Sequence, residues 1–270
     1  MLRRTAAACV LWLGSAVFLP AAGDTGAGKA EEAAAALLRG NAQLAVTLCT
    51  EALKDTQLTS DRRAGVLNDR GVAYTRLDQP RLAIDDFNRA VQLYPEHPTT
   101  YNNRGNLLLA LGLTKEAIKD FDRALVLAPG YAAAYNNRAG AHMRLGQTAE
   151  AIRDYTKAIE LLPTSAAPLS GRGRVHLSQA RPHAAMRDFS RALQTDTRFG
   201  GAYRARAEAK LAVQKYEDAA DDLSRAIAFD PNSAEIHILR GHAYLLAKNI
   251  ASAIKDYTRA IEIDSRSVPA

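Results

Sequence analysis

Few side chains in this chain have the type and spacing that catalysis requires. Its 270 residues include six histidines and two cysteines. His142 and His176 are 34 residues apart in the sequence. His237 and His242 are five residues apart, a step that points two side chains to different faces of a helix. Neither pair has chelating spacing, and no His-Glu-x-x-His or nucleophile-elbow motif occurs in the sequence. The sequence therefore predicts no metal, no cofactor and no catalytic residue, and we interpret the protein as a non-enzyme.

One segment resembles a phosphate-binding loop without satisfying its chemistry. Gly23, Gly28 and Lys29 have the required spacing, but Ala30 stands where a Ser or Thr hydroxyl would hold magnesium. Gly, Ala, Thr and Asp are typical of a flexible connection, so we predict a linker over residues 24–32. A nucleotide-dependent enzyme or factor is the least favoured function.

Arginine and aspartate recur together along most of the chain, each aspartate 16 residues after its arginine. Ligand-binding arginines are one interpretation, but each has a carboxylate at the same spacing, so we predict ion pairs that fix the register of two helices. The pairs are Arg70 with Asp86, Arg104 with Asp120, Arg138 with Asp154, Arg172 with Asp188, Arg206 with Asp222, and Arg240 with Asp256.

These pairs belong to a 34-residue repeat that begins at Ala64 and has no insertion or deletion. Positions 8, 20 and 27 of each unit are small, position 24 is bulky, and position 32 is often proline. Helical spacing on both sides of a turn, where Gly112 and Gly146 fall, predicts two antiparallel helices per unit. The six units span residues 64–97, 98–131, 132–165, 166–199, 200–233 and 234–267.

The period and the pattern of small and aromatic residues resemble the tetratricopeptide repeat family. The resemblance implies an all-α fold, a right-handed superhelix or α-solenoid of stacked antiparallel helix pairs. Upstream, Ala45, Cys49 and Ala52 repeat the spacing of positions 20, 24 and 27 and indicate a degenerate N-terminal helix pair over residues 33–63. We expect Cys49 to be a small buried hydrophobe rather than a reactive thiol.

The resemblance also implies a concave groove, lined by positions 2, 5, 6, 9, 12 and 13 of each first helix, that binds a protein or an extended peptide. An asparagine amide both donates and accepts, so it can pair with a peptide backbone of any sequence. We expect a solvent-facing Asn103 and Asn137 to contribute to binding but little to stability. The candidate groove residues are Asn68, Asn102, Asn103, Asn106, Asn136, Asn137, Arg144, Arg174, Arg204, Ile238 and Leu239.

Chaperone-binding members of the family clamp a C-terminal carboxylate with lysine, arginine and asparagine. Asn106 and Asn137 match two of those positions, but Asn102 replaces the first lysine, and Ala167 and Gly171 replace the remaining basic members. The resemblance therefore does not extend to that activity.

The N-terminus has the features of a secretory signal peptide. Arg3 and Arg4 precede an apolar stretch over residues 6–19, and Ala21, Ala22 and Gly23 offer small residues for cleavage. We predict a signal peptide over residues 1–23, cleaved to leave an exported protein without a stable membrane anchor. Its location would be periplasmic in a Gram-negative bacterium.

Charge and the last repeat bear on partners. The net charge of +6 is spread among interleaved acids, which argues against nucleic-acid binding.

No further unit covers Tyr257, Ile261 and Ile263, so we predict a homodimer through this surface. An exported, non-catalytic scaffold for a protein or peptide is the favoured function; an architectural array that self-assembles through its C-terminal end is the alternative.

Overall fold

The computed structural model describes residues 25–264, and these residues form fourteen α-helices and no strand. The predicted all-α repeat solenoid is confirmed. The helices are α1 (Thr25–Leu38), α2 (Ala42–Ala52), α3 (Ser60–Arg76), α4 (Pro80–Leu93), α5 (Pro98–Ala110), α6 (Thr114–Leu127), α7 (Ala132–Arg144), α8 (Thr148–Leu161), α9 (Ala166–Ser178), α10 (Pro182–Thr195), α11 (Gly200–Ala212), α12 (Tyr216–Phe229), α13 (Ala234–Leu246) and α14 (Ile250–Ile263).

The chain divides into two compact units, unit 1 up to Gln147 and unit 2 from Thr148. Unit 1 contains α1–α7 and unit 2 contains α8–α14. Within each unit every helix packs on the next one in sequence. The first helices also contact one another in unit 1, α3 with α1 and α5, and α5 with α7. This contact places their polar positions side by side.

Small residues at position 8 let the two helices of a repeat approach closely. A Cβ atom on Gly105 would lie 2.7 Å from the ring of Phe121, and one on Gly173 would lie 2.8 Å from the ring of Phe189. Both rings are fully buried. Ala207 is tolerated at this position in a repeat that carries the smaller Leu223 at position 24. The size alternation in the sequence is therefore the packing rule of the fold.

The residue at position 15 follows the first helix of a repeat and adopts the left-handed backbone conformation. Gly112 and Gly146 have φ of 83° and 72°, and glycine adopts this region without steric cost. Gly40 has φ of 79° at the end of α1. If Gly40 is counted as position 15, α1 and α2 can be numbered like the later repeats. Ala30 and Glu31 then occupy positions 5 and 6 of the N-terminal pair.

The linker predicted over residues 24–32 is wrong, because α1 begins at Thr25. The N-terminal pair therefore begins there and not at residue 33, and it consists of α1 and α2. Gly26 serves close packing rather than flexibility. Its amide donates to Asp55 Oδ2 at 3.0 Å, and a Cβ atom on it would lie 2.6 Å from the Asp55 side chain.

Cys49 lies on α2 and is fully buried, as predicted. Burial raises the pKa of its thiol to about 12, so it does not form the reactive thiolate at neutral pH. The predicted signal peptide, residues 1–23, lies outside the described residues. Within residues 25–264 no helix combines the length and apolarity that a membrane crossing needs.

Candidate functional site

The arginines at position 7 are bound inside the protein. In five repeats, Nε and Nη2 of the arginine donate to the two oxygens of the predicted aspartate at 2.6–2.8 Å. These hydrogen bonds raise the pKa of all five arginines. The five pairs are Arg70–Asp86, Arg104–Asp120, Arg172–Asp188, Arg206–Asp222 and Arg240–Asp256.

The position-7 arginine of each of the six repeats, Arg138 included, also donates to the second helix of the preceding pair. Arg104 Nη1 binds Asn88 Oδ1 at 2.8 Å, and Arg138 Nη1 binds Asp122 Oδ1 at 2.6 Å. Arg70 Nη1 binds Thr50 Oγ1 at 3.1 Å, and its partner lies 20 residues away rather than 16 because four extra residues precede α3. The arginines thus tie neighbouring helix pairs in register and are not ligand sites.

The predicted asparagines converge on one surface of unit 1. We call this the asparagine surface: the face of α3, α5 and α7 that carries Asn68, Asn102, Asn103, Asn106, Asn136 and Asn137. Only Asn136 is half-buried; Asn103 and Asn137 are 1% and 6% exposed. The expectation that Asn103 and Asn137 face solvent is therefore wrong. Each amide is buried and donates to the preceding first helix, Asn103 to Asn68 of α3 and Asn137 to Asn102 of α5.

Five side-chain hydrogen bonds link this surface in a single direction. In α7, Asn136 Nδ2 donates to Asn137 Oδ1 at 3.3 Å; the amide of Asn137 then donates to Asn102 of α5 at 2.9 Å. The order of the amide chain is Asn136, Asn137, Asn102, Asn103, Asn68 and Asp69, with the remaining donor–acceptor distances 3.4, 3.0 and 3.1 Å. Every amide donates toward Asp69, and aligned hydrogen bonds polarise one another.

Asn106 is the exception on this surface. It lies on α5 one helical turn after Asn102 and Asn103, and it is 4% exposed. Neither its Nδ2 nor its Oδ1 makes a hydrogen bond with the described residues. A buried amide without partners costs about 1–3 kcal/mol. Asn106 therefore has one unsatisfied donor group and one unsatisfied acceptor buried beneath the middle of the surface.

Asp69 closes the amide chain on α3 and is half-buried. Burial raises the pKa of its carboxyl to about 6, and the hydrogen bond from Asn68 opposes that rise. The carboxyl remains mostly ionised at neutral pH. The sequence placed Asp69 at a groove position, but its lack of a cationic neighbour becomes visible only in the structure.

The other predicted groove residues do not assemble into a comparable site. Arg144, at the end of α7, donates to the carbonyl of Leu109. In unit 2, Arg174 is exposed, whereas Arg204 binds Glu208 at 3.2 Å and Glu235 through Nη1 at 2.8 Å. Ile238 and Leu239 are half-buried, and Leu239 packs on the core.

His237, on the first helix of the last repeat, is held by protein groups. His237 Nδ1 lies 3.3 Å from Asp256 Oδ1, and its Nε2 lies 3.2 Å from the carbonyl oxygen of Pro231. Within residues 25–264 no three His, Cys, Asp or Glu side chains are grouped to hold a metal ion.

Stacked helix pairs held by repeating ion pairs define a helical repeat protein. Sequence models of the family agree with this assignment. Models described as tetratricopeptide repeat match residues 68–132, 102–166 and 234–267, and one described as TPR repeat matches residues 208–248. The chain belongs to the tetratricopeptide repeat family.

Solved structures show the same fold at low sequence identity. A tetratricopeptide repeat protein from Parabacteroides merdae is 19% identical, with a TM-score of 0.65 over 90% of this chain and 94% of that one. PilF from Pseudomonas aeruginosa is 16% identical, with a TM-score of 0.70 over 77% and 95% of the two chains. YrrB, described as having an unusual peptide-binding site, is 21% identical, with a TM-score of 0.57 over 67% and 93%. No curated protein sequence matches significantly.

Proposed function

We propose that the protein is a non-catalytic scaffold that binds an extended peptide segment of a partner on the asparagine surface of unit 1. The observation that carries this proposal is Asn106, a buried amide with no hydrogen bond to the described residues. A peptide group presents one N–H and one C=O, which match the acceptor and the donor of that side chain. The description of YrrB as a peptide-binding repeat protein is consistent with this function.

The amide chain suits such a role because it fixes the surface before a ligand arrives. Asn102 and Asn103 are held by hydrogen bonds to α7 and α3, so these two side chains need little reordering on binding, whereas the buried side chain of Asn106 has to turn outward to meet the peptide. Preorganisation of this kind reduces the entropic cost of association. The surface consists of hydrogen-bonding side chains that can hold a ligand, and we propose binding without catalysis.

Asn106→Ala is the variant that tests the peptide site. We expect the free energy of unfolding to stay constant or to rise, because the substitution removes an unsatisfied buried amide. We expect the affinity for a bound peptide to fall about tenfold, the equivalent of one to two lost hydrogen bonds. The measurement uses a peptide selected from a random display library on the purified chain, with affinity read by fluorescence anisotropy.

Gln92→Ala supplies the control, since Gln92 is an exposed amide on α4, away from the asparagine surface. It should leave both affinity and stability unchanged. Equal affinity of the Asn106→Ala variant and the parent chain would show that peptides bind elsewhere, and failure to select any peptide would contradict the proposed function.

We further propose that the protein is exported after removal of residues 1–23, with the periplasm as its location in a Gram-negative host. The composition of that segment supports this proposal. Trp12, the one tryptophan of the chain, lies in it, so the mature protein should show tyrosine fluorescence alone. An N-terminal sequence starting at Met1, read from protein recovered outside the cytoplasm, would contradict export with cleavage.

A second candidate function, self-assembly through the C-terminal end, is favoured by one comparison between repeats. Ile261 at position 28 is 47% exposed, whereas Ile159 and Leu193 at the same position are 7% and 6% exposed. Beside it, Tyr257 and Ile263 are half-buried. A homodimer would bury this surface, at a gain of about 1.5–3 kcal/mol for each large apolar side chain.

Ile261→Glu tests self-assembly by placing a charge on that surface. We expect the parent chain to sediment as a dimer at tens of micromolar and the variant as a monomer. Arg259→Glu, an exposed change on the same helix, is the control and should leave the dimer intact. A parent chain that sediments as a monomer would exclude assembly through this end.

A further inference from the structure

Asp69 differs from the five aspartates that bind arginine. Each of those accepts two guanidinium hydrogen bonds, whereas the carboxylate of Asp69 accepts one hydrogen bond, from Asn68 Nδ2 at 3.1 Å. Among residues 25–264 no basic side chain forms an ion pair with it. Asp69 is therefore a half-buried negative charge that the described residues leave uncompensated.

The amide chain is polarised toward that charge. Asn103 donates to Asn68, and Asn68 donates to Asp69, so the positive end of each amide dipole points to the carboxylate. This direction favours the ionised form of Asp69 over the neutral acid. Burial acts in the opposite sense and raises the pKa to about 6, which marks the desolvation cost of the charge. A cation bound beside the carboxylate would offset that cost.

The neighbouring positions of the surface contribute no cation. Positions 5 and 6 of α1 are Ala30 and the exposed acid Glu31. Arg76, two turns beyond Asp69 on α3, is committed to the carbonyl of Leu37. At this end, positions 5 and 6 of α1 and α3 therefore carry acids and no base.

We propose that Asp69 forms a subsite that takes a basic side chain, lysine or arginine, of the bound peptide, while Asn106 on the adjacent helix α5 pairs with the peptide backbone. This inference rests on the proposed peptide-binding function and adds the chemistry of the partner to it. It also fits the absence of the basic residues that the family's carboxylate clamp uses, because the charge at this surface has the opposite sign.

Asp69→Asn is the sharpest test because asparagine keeps an oxygen that accepts from Asn68 and removes only the charge. Random peptides would be selected in parallel on the full-length chain and on this variant. We expect the peptides selected on the parent chain to share a lysine or arginine at one position, and those selected on the variant to lack it. Asp85→Asn, an exposed change on α4, is the matched control and should select the same peptides as the parent.

A double-mutant cycle then assigns the contact. In one selected peptide, N-acetylated so that its α-amino group carries no charge, the basic residue is replaced by norleucine. We expect at least a tenfold loss of affinity for the parent chain and less than a twofold loss for Asp69→Asn. If acetylation itself abolishes binding, the cation is the amino terminus and the side-chain assignment is wrong.

The two proposals fail in distinguishable ways. Peptides that bind through Asn106 but carry no shared basic residue, or that lose equal affinity on the parent and the Asp69→Asn variant, would overturn the Asp69 subsite alone. Failure to select any peptide on the parent chain would overturn the peptide-binding function and the subsite with it.

Discussion

Asp222→Ala is expected to lower the free energy of unfolding by about 3–5 kcal/mol, the range typical for removing one partner of a buried ion pair. Asp222 is 2% exposed and binds Arg206 through two hydrogen bonds, while Lys210 Nζ lies 2.8 Å from its Oδ2. Alanine would leave both cations partly buried without a counterion. The cost thus comes mostly from the stranded charges rather than from the lost attraction.

Asp221→Ala is the matched control, since it removes the same side chain one residue earlier from an exposed position. It should change the unfolding free energy by less than about 0.5 kcal/mol. Urea denaturation followed by circular dichroism measures both variants. Equal midpoints for the two would mean that the position 7 to position 23 pairs do not hold the repeats together.

The repeat fold could be predicted because its rules are local. In the repeats that have glycine at position 8, that glycine contacts the aromatic ring at position 24 of its own repeat, as Gly105 contacts Phe121. In five repeats the arginine pairs with the aspartate 16 residues later, as Arg104 pairs with Asp120. A 34-residue period in the sequence therefore predicts the helices, the turns and the ion pairs together. The start of α1 could not be predicted in this way. Gly26 is a residue type common in linkers, and its contact with Asp55 joins residues 29 apart, which is not a spacing of the repeat.

The site could be predicted in composition but not in geometry. The first-helix register groups the asparagines of α3, α5 and α7, and hydrogen bonds join five of them in the structure. Their burial depends on how closely successive first helices approach, which no residue pattern within one repeat states. The Asn137-to-Asn102 and Asn103-to-Asn68 bonds each join residues 35 apart, a spacing one residue longer than the period. Searching the sequence for polar pairs at that spacing would have indicated the amide chain.

The largest departure from the sequence-based expectation concerns Asn103 and Asn137, whose replacement was expected to leave stability nearly intact. Changing both to alanine strands the Oδ1 atoms of Asn68 and Asn102, which are 1% and 0% exposed. Each stranded polar group costs about 1–3 kcal/mol, so we expect the double variant to lose about 2–5 kcal/mol of unfolding free energy. Its peptide affinity should fall too, because α3, α5 and α7 lose the bonds that hold the surface in place.

Asn136→Ala is the control. It tests whether the loss of stability comes from the buried hydrogen bonds of Asn103 and Asn137 between helices or from removing any asparagine side chain of the surface. Asn136 begins the amide chain, is half-buried, and donates to Asn137 at 3.3 Å without accepting from another member. Its replacement leaves one acceptor, Asn137 Oδ1, without its donor, whereas the double variant leaves two acceptors and two donors without partners. The single change should therefore cost about 1 kcal/mol, clearly less than the double variant. Urea denaturation of the parent chain, Asn136→Ala and the double variant decides the matter. A double variant as stable as the parent would show that the amide chain does not form in solution and that Asn103 and Asn137 are free to bind a ligand.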